Sequence, residues 1–187
     1  MQTDVSATYE PLLTFSPVAW RKLVLYTTLC LDEIGGFGIV EQVGSDYRLD
    51  DLLLVRQEVS ALATHFRGQS VSSLIEEMVA QDRDPAALRL WWHSHAREAP
   101  FWSGEDERTI SNFRNDGMLS LVSNHEMRLL ARMDHYVPRA TAWVRIGRPS
   151  DVPEATPDEV GEALADIETA VGAASRSSTQ KREHVWR

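Results

Sequence analysis

The chain has 187 residues and a formal net charge of −9 with histidines neutral; 43% of its side chains are apolar and 25% charged. That length suffices for one domain, with or without an appendage, and lets roughly 70% of the unfolded surface be buried. Ten Gly and eight Pro exclude a collagen-like or low-complexity chain, and a single cysteine, Cys30, excludes a disulfide scaffold and a cysteine-rich zinc finger. The acidic balance argues against nucleic acid as a partner, because only the last dozen residues, with Arg176, Lys181, Arg182 and Arg187, lean basic. No apolar run approaches the roughly 20 residues of a membrane span. Met1-Gln2-Thr3-Asp4-Val5 lacks the basic and apolar segments of a signal peptide. The expectation is a cytoplasmic protein without a membrane partner.

In chain order, residues 1–14 read as an extended lead-in. Ser16-Pro17 is an N-cap followed by proline at the first helical position, and Ala19, Trp20, Leu23, Tyr26, Thr27 and Cys30 follow at helical spacing, which predicts a helix over about 17–30. Gly35-Gly36 breaks the pattern, residues 37–43 read as a strand, Gly44-Ser45-Asp46 as a turn, and residues 51–59 as a second strand. Leu74, Ile75, Met78 and Val79 mark a helix over about 70–82, and residues 88–95 a buried strand. A loop from Ala96 to Trp102 leads to a helix that starts near Ser103 and ends before Gly117. Three strands follow, over 118–123, 127–133 and 141–146, with Asn124-His125-Glu126 as a hairpin turn. Helices and strands alternate early and a meander closes the core, so the fold class is mixed α/β with an antiparallel component.

After Arg148, Pro149, Pro153 and Pro157 mark a linker. Thr156-Pro157-Asp158-Glu159 is a capping box, and Val160, Leu164, Ile167 and Val171 make an amphipathic stripe, so an accessory helix over 157–172 is predicted. Residues 174–187 read as a polar tail.

The chemistry concentrates in His93-Ser94-His95, followed seven residues later by Ser103-Gly104-Glu105-Asp106. Residues two apart on a strand share a face, so His93 and His95 present their imidazoles side by side while Ser94 points away. A seven-residue loop can fold back and bring Asp106, in the first turn of the next helix, to the same place. Two histidines and an aspartate form an open zinc site with water as fourth ligand. Each half also has a plainer reading: Ser103-x-x-Asp106 as a helix cap, and the histidine pair as a structural or solvated pair. Trp91 shares strand parity with the histidines and Trp92 faces away. Phe101 and Trp102 lie on the loop, as contacts for a substrate tail or as packing. His65, His125, His135 and His184 read as surface residues, and Cys30 as a small buried hydrophobe.

This pattern resembles the JAMM (MPN-plus) metalloprotease family, whose signature is an upstream Glu, then His-x-His, seven residues, Ser, two residues and Asp. Every position is filled here, with Glu33 of Asp32-Glu33-Ile34-Gly35-Gly36 as the upstream acid. Local reasoning alone leaves Asp32 and Glu41 as rivals to it. The tryptophans around both motif halves are similar to the prokaryotic and phage-associated branch. The resemblance implies the MPN fold over residues 1–148, a mixed, mostly antiparallel curved sheet flanked by helices with a cytidine-deaminase-like architecture. Residues 149–187 would form linker, helix and tail.

It also implies one Zn²⁺ per chain on His93, His95 and Asp106, a water of lowered pKa, Glu33 as general base and Ser103 as oxyanion stabiliser. The implied activity is isopeptide or peptide cleavage after the C-terminus of a ubiquitin-like protein, with E1/E2-like proteins as possible companions. Alternatives are tail-trimming of a sulfur-carrier protein and a non-catalytic MPN scaffold. The short stretch from Asp106 to Ile146 leaves no room for the substrate-gripping insertions of specialised eukaryotic deubiquitinases.

Overall fold

The structure, a computed structural model, describes residues 10–60, 63–66, 68–113 and 116–172. The stretch expected as a lead-in contains a strand, β1 (Leu12–Phe15), which buries Leu13 and Phe15; residues 1–9 lie outside the described residues. Ser16 then caps α1 (Pro17–Leu29), its Oγ accepting from the Ala19 amide at 3.0 Å, with Pro17 where a missing N–H costs nothing. β2 (Gly35–Val43) and β3 (Asp46–Leu54) form a hairpin turning at Gly44, whose φ is +65°. Gly35 and Gly36 therefore begin a strand rather than interrupt one. The reason is close approach: a Cβ on Gly36 would stand 2.1 Å from the Leu53 carbonyl oxygen.

The second strand likewise starts at Asp46, five residues earlier than expected, and stops at Leu54. Gln57–Ser60 is a separate strand, β4, paired antiparallel with β5 (Ala63–Phe66). α2 (Gly68–Ala80) follows, then a single 3₁₀ turn capped by Asp84, β6 (Leu88–Ser94), α3 (Gly104–Asn112), β7 (Gly117–Ser123), β8 (Leu129–Tyr136), β9 (Arg139–Trp143), β10 (Arg145–Ile146) and α4 (Pro157–Val171).

Eight strands form one sheet in the order β10-β1-β3-β2-β6-β7-β8-β9. β1 runs parallel to both β3 and β10, and β6 parallel to β7; the remaining neighbours are antiparallel. β9 and β10 stand at opposite ends of this order although only Val144 separates them. The Val144 amide donates to Ala131 of β8 at 3.2 Å, and the Arg145 amide, one residue on, donates to Pro11 at 2.8 Å. The sheet therefore curls until its two ends nearly meet.

Strand alternation sorts the side chains of β6 onto two faces. Leu90 and Trp92 join the larger core with Leu23 and Tyr26 of α1, whereas Trp91 packs with Phe37, Met118 and Ile110 of α3. α4 lies on α1 with Ala163 and Ala170 buried and Ile167 and Val171 against the larger core, while Leu164 is 48% exposed. Its packing face is thus rotated from the expected stripe, because small residues let the two helices approach. The Tyr26 hydroxyl donates to Asp166 at 2.6 Å and Arg21 pairs with Glu159 at 2.8 Å, which ties α4 down further. Among the described residues no helix is long and apolar enough to cross a membrane.

Candidate metal centre

The end of β6 is fixed from both sides. The Ser94 amide donates to the Ile34 carbonyl at 2.7 Å, its Oγ accepts from the Ile34 amide at 3.1 Å, and the His95 amide donates to Ser123 of β7 at 2.8 Å. With Ser94 held on one face, His93 and His95 turn to the other. The chain then reverses through Ala96, whose φ is +43°, and the turn between β7 and β8 pins the loop: the His125 amide donates to Ala96 and Asn124 Nδ2 to Glu98.

Ser103 ends the loop as the N-cap of α3. Its Oγ accepts from the Asp106 amide at 3.1 Å, and its own amide donates to Asp106 Oδ2 at 2.7 Å, a reciprocal capping box with Asp in place of Glu. The plain capping reading of Ser103-x-x-Asp106 is therefore correct. It leaves Asp106 able to ligate a metal as well, because its other oxygen, Oδ1, lies 3.1 Å from His93 Nε2.

His93, His95 and Asp106 are all buried, and one donor atom from each lies within 4.8 Å of the others. The two Nε2 atoms are 3.0 Å apart, and His95 Nε2 is 3.8 Å from Asp106 Oδ2. A tetrahedral ion with bonds of about 2.0–2.2 Å needs donors roughly 3.3–3.6 Å apart, close to these spacings. Two ring nitrogens that face each other can share at most one proton, so a cation between them and the carboxylate satisfies all three groups. The donor set fits a divalent metal ion.

Electrostatics favour the ligating forms of His93 and Asp106, while His95 is drawn toward its protonated form by the uncompensated carboxylates. Burial pulls the His93 imidazole below its ordinary pKa, against the opposing pull of Asp106, so it is neutral near pH 7. Burial acts likewise on His95, but the neighbouring carboxylates of Asp106 and Glu33 outweigh it and the net direction is up. Burial would raise the Asp106 carboxyl; the adjacent His93 and His95 imidazoles and the Ser103 cap overcome this and hold it well below the usual carboxylate range.

Glu33 arrives by register. Gly35 pairs with His93, and Ile34 exchanges bonds with Ser94, so the next step along the antiparallel pair sets Glu33 opposite His95 on the shared face. Its half-buried carboxyl is pushed up to about 7, chiefly by burial, with His95 opposing and Asp106, Glu98 and Glu105 adding to the rise. Of the two rivals, Glu41 lies far along β2 on an exposed ion pair with Arg48 at 2.6 Å, and Asp32 acts on Cys30 instead.

The aromatic residues divide as well. Trp91 stacks on His93 with centroids 4.5 Å apart, while Trp92 on the opposite face donates Nε1 to Ser123 Oγ at 2.9 Å. Phe101, 47% exposed, meets His95 edge-on at 4.6 Å; Trp102 is half-buried, 6.2 Å from His93. His125, expected on the surface, is half-buried with Nε2 2.9 Å from the Cys30 carbonyl, which links the loop region to the end of α1. His135 is exposed and Cys30 is buried, whereas the side chain of His65, and all of His184, lie outside the described residues. Two residues near the centre escaped the sequence reading. Glu98, on the loop, contributes charge to Glu33, and Arg132 of β8 is buried beneath Trp102 with its guanidinium on Glu107. The available signal for Arg132 was a buried charge pair two apart on a strand, Arg132 and Asp134.

No family model matches the chain, and no curated protein matches it. Among solved structures, the fold is similar to the solution structure of protein DSY2949 from Desulfitobacterium hafniense. The TM-score is 0.51 at 12% identity, over 75% of this chain and 94% of that chain. At that identity the likeness speaks for the fold alone.

Proposed function

We propose that the protein is a zinc-dependent peptidase of the JAMM (MPN-plus) type, acting in the cytoplasm on the amide bond after the C-terminal residue of a ubiquitin-like protein or its conjugates. In this reading the nearly closed mixed sheet is an MPN core. The observation that carries it is the convergence of the three spaced ligands, His93, His95 and Asp106, with Glu33 set beside His95 on the same face. Two imidazoles and one carboxylate without thiolate favour Zn²⁺, which when bound supplies Lewis acidity and lowers the pKa of a water toward about 7.

The chain's own residues divide the remaining work. Asp106 presents Oδ1 toward His93 while the Ser103 amide holds Oδ2, the oxygen nearer His95, so the ligand's orientation is set by the helix cap. Glu33 accepts a proton from the attacking water and delivers it to the leaving amine nitrogen; a carboxyl poised near neutrality can do both. Ser103 Oγ accepts from the Asp106 amide, which leaves its hydroxyl proton free to donate to the oxyanion that develops on the scissile carbonyl. Phe101 and Trp91 offer apolar walls to an extended substrate tail.

The test is hydrolysis of a ubiquitin-like protein carrying a fluorogenic C-terminal amide. Cleavage that disappears with chelator and in Glu33→Gln is the expected result. An intact substrate alongside one bound zinc per chain would overturn the assignment.

A further inference from the structure

We infer that Arg132 is a positioning residue for the metal centre: its guanidinium clamps the two flanks of the Ser103 cap and so holds Asp106 against the β6 histidines. This rests on the metal-centre reading above. The start of a helix is commonly fixed by an apolar contact between the residue before the N-cap and the fourth helical residue. Here those positions are Trp102 and Glu107, which cannot make such a contact. Arg132 joins them instead. Its Cζ lies 4.7 Å from the centroid of the Trp102 ring, and its two terminal nitrogens donate to Glu107 Oε1 at 2.6 Å and Oε2 at 2.8 Å.

The clamp is itself anchored. Arg132 Nε donates to Asp134 Oδ2 at 2.8 Å, and Asp134 Oδ1 accepts from Thr141 Oγ1 of β9 at 2.7 Å, so the guanidinium is fixed to the sheet. Trp102 Nε1 makes no hydrogen bond to the protein, which leaves its ring face against Arg132 as its polar contact. At the far end of the nine-residue α3, Ile110 is buried and its carbonyl accepts from Tyr136 Oη at 2.9 Å. Both of these contacts, from Arg132 and from Tyr136, tie the helix to β8. The Tyr136 bond holds the end remote from the metal, and the Arg132 clamp holds the turn that carries Asp106.

Zinc affinity of the full-length chain, measured by competition with a chromophoric chelator, tests this without any peptidase assay. Arg132→Met should bind zinc about 10- to 100-fold more weakly. Arg132→Lys should not rescue it, because a point charge cannot serve Glu107, Asp134 and the Trp102 face in one plane. Should Arg132→Met fail to fold with Asp134 left unpaired, Glu107→Gln is the second probe. It removes the charge and one of the two acceptors from an exposed partner of the clamp and should weaken zinc binding several-fold. Tyr136→Phe, which loosens the other end of α3, should leave affinity unchanged. Wild-type affinity in Arg132→Lys or Glu107→Gln, or equal weakening in Tyr136→Phe, would overturn the clamp. Absence of zinc binding in the wild type would instead overturn the metal-centre reading.

Discussion

Replacing Glu33 with Gln should abolish hydrolysis and, at the same time, stabilise the metal-free protein at alkaline pH. The carboxyl is half-buried and its pKa stands at about 7, against an ordinary 4.5. A native pKa above the unfolded one means that the favourable contribution is complete below about pH 4.5 and is lost as pH rises through 7. The gap is worth roughly 3 kcal/mol at face value. Solvent screening of a partly exposed carboxylate reduces this to about 1–2 kcal/mol. Urea unfolding of both proteins in chelator, at pH 5 and pH 8, reads the effect as a difference of differences. The Glu33→Gln advantage should grow by about 1–2 kcal/mol between the two pH values. If it stays constant, or the wild type gains on the variant as pH rises, the ionised carboxylate is stabilised by its surroundings, and the picture of a base poised by burial is wrong.

Asp106→Asn separates the two duties of that side chain: the amide oxygen can still accept from Ser103, so the metal-free melting temperature should change little while calorimetry shows zinc binding lost. In the wild type, zinc at about a thousandfold over its dissociation constant should add about 4 kcal/mol of stability, reversed by chelator and readable as a shift in melting temperature. Gly36→Ala drives a Cβ toward the Leu53 carbonyl and should cost about 3 kcal/mol or more, seen as a lower urea midpoint. Tyr26→Phe removes the bond to Asp166; a loss of about 1–2 kcal/mol and faster proteolysis of the 149–156 linker are expected, with peptidase activity unchanged.

What the sequence made legible was local. His93 and His95 share a face because the strand period is two, and Ser103 and Asp106 meet because a capping box spans three residues; neither depends on distant chain. α1 and α4 announce themselves through Ser16-Pro17 and Thr156-Pro157, where cap and proline coincide. The misread segments are those whose structure is set from afar. Leu12–Phe15 carries no alternation long enough to declare a strand, and its identity comes from parallel partners elsewhere in the chain. Gly35-Gly36 looks like a break until the Leu53 carbonyl is seen pressing on it. Leu164 fits a helical stripe better than Ala163 does, yet the tight approach of α4 to α1 selects the smaller residue. Arg132 went unread because nothing nearby in sequence names Glu107 and Trp102 as its partners.

The position of β1 between β3 and β10 also bears on how the chain acquires its fold. β10 is only two residues long and joins β1 about 130 residues after it in sequence. The hairpins and the β7–β9 meander can form as they leave the ribosome, but β1 keeps one open edge until Arg145 and Ile146 have emerged. A nascent chain stalled before that point would offer this edge, with Leu13 and Phe15 beside it, to any extended segment nearby. Late synthesis is therefore the interval in which this protein is most prone to intermolecular pairing.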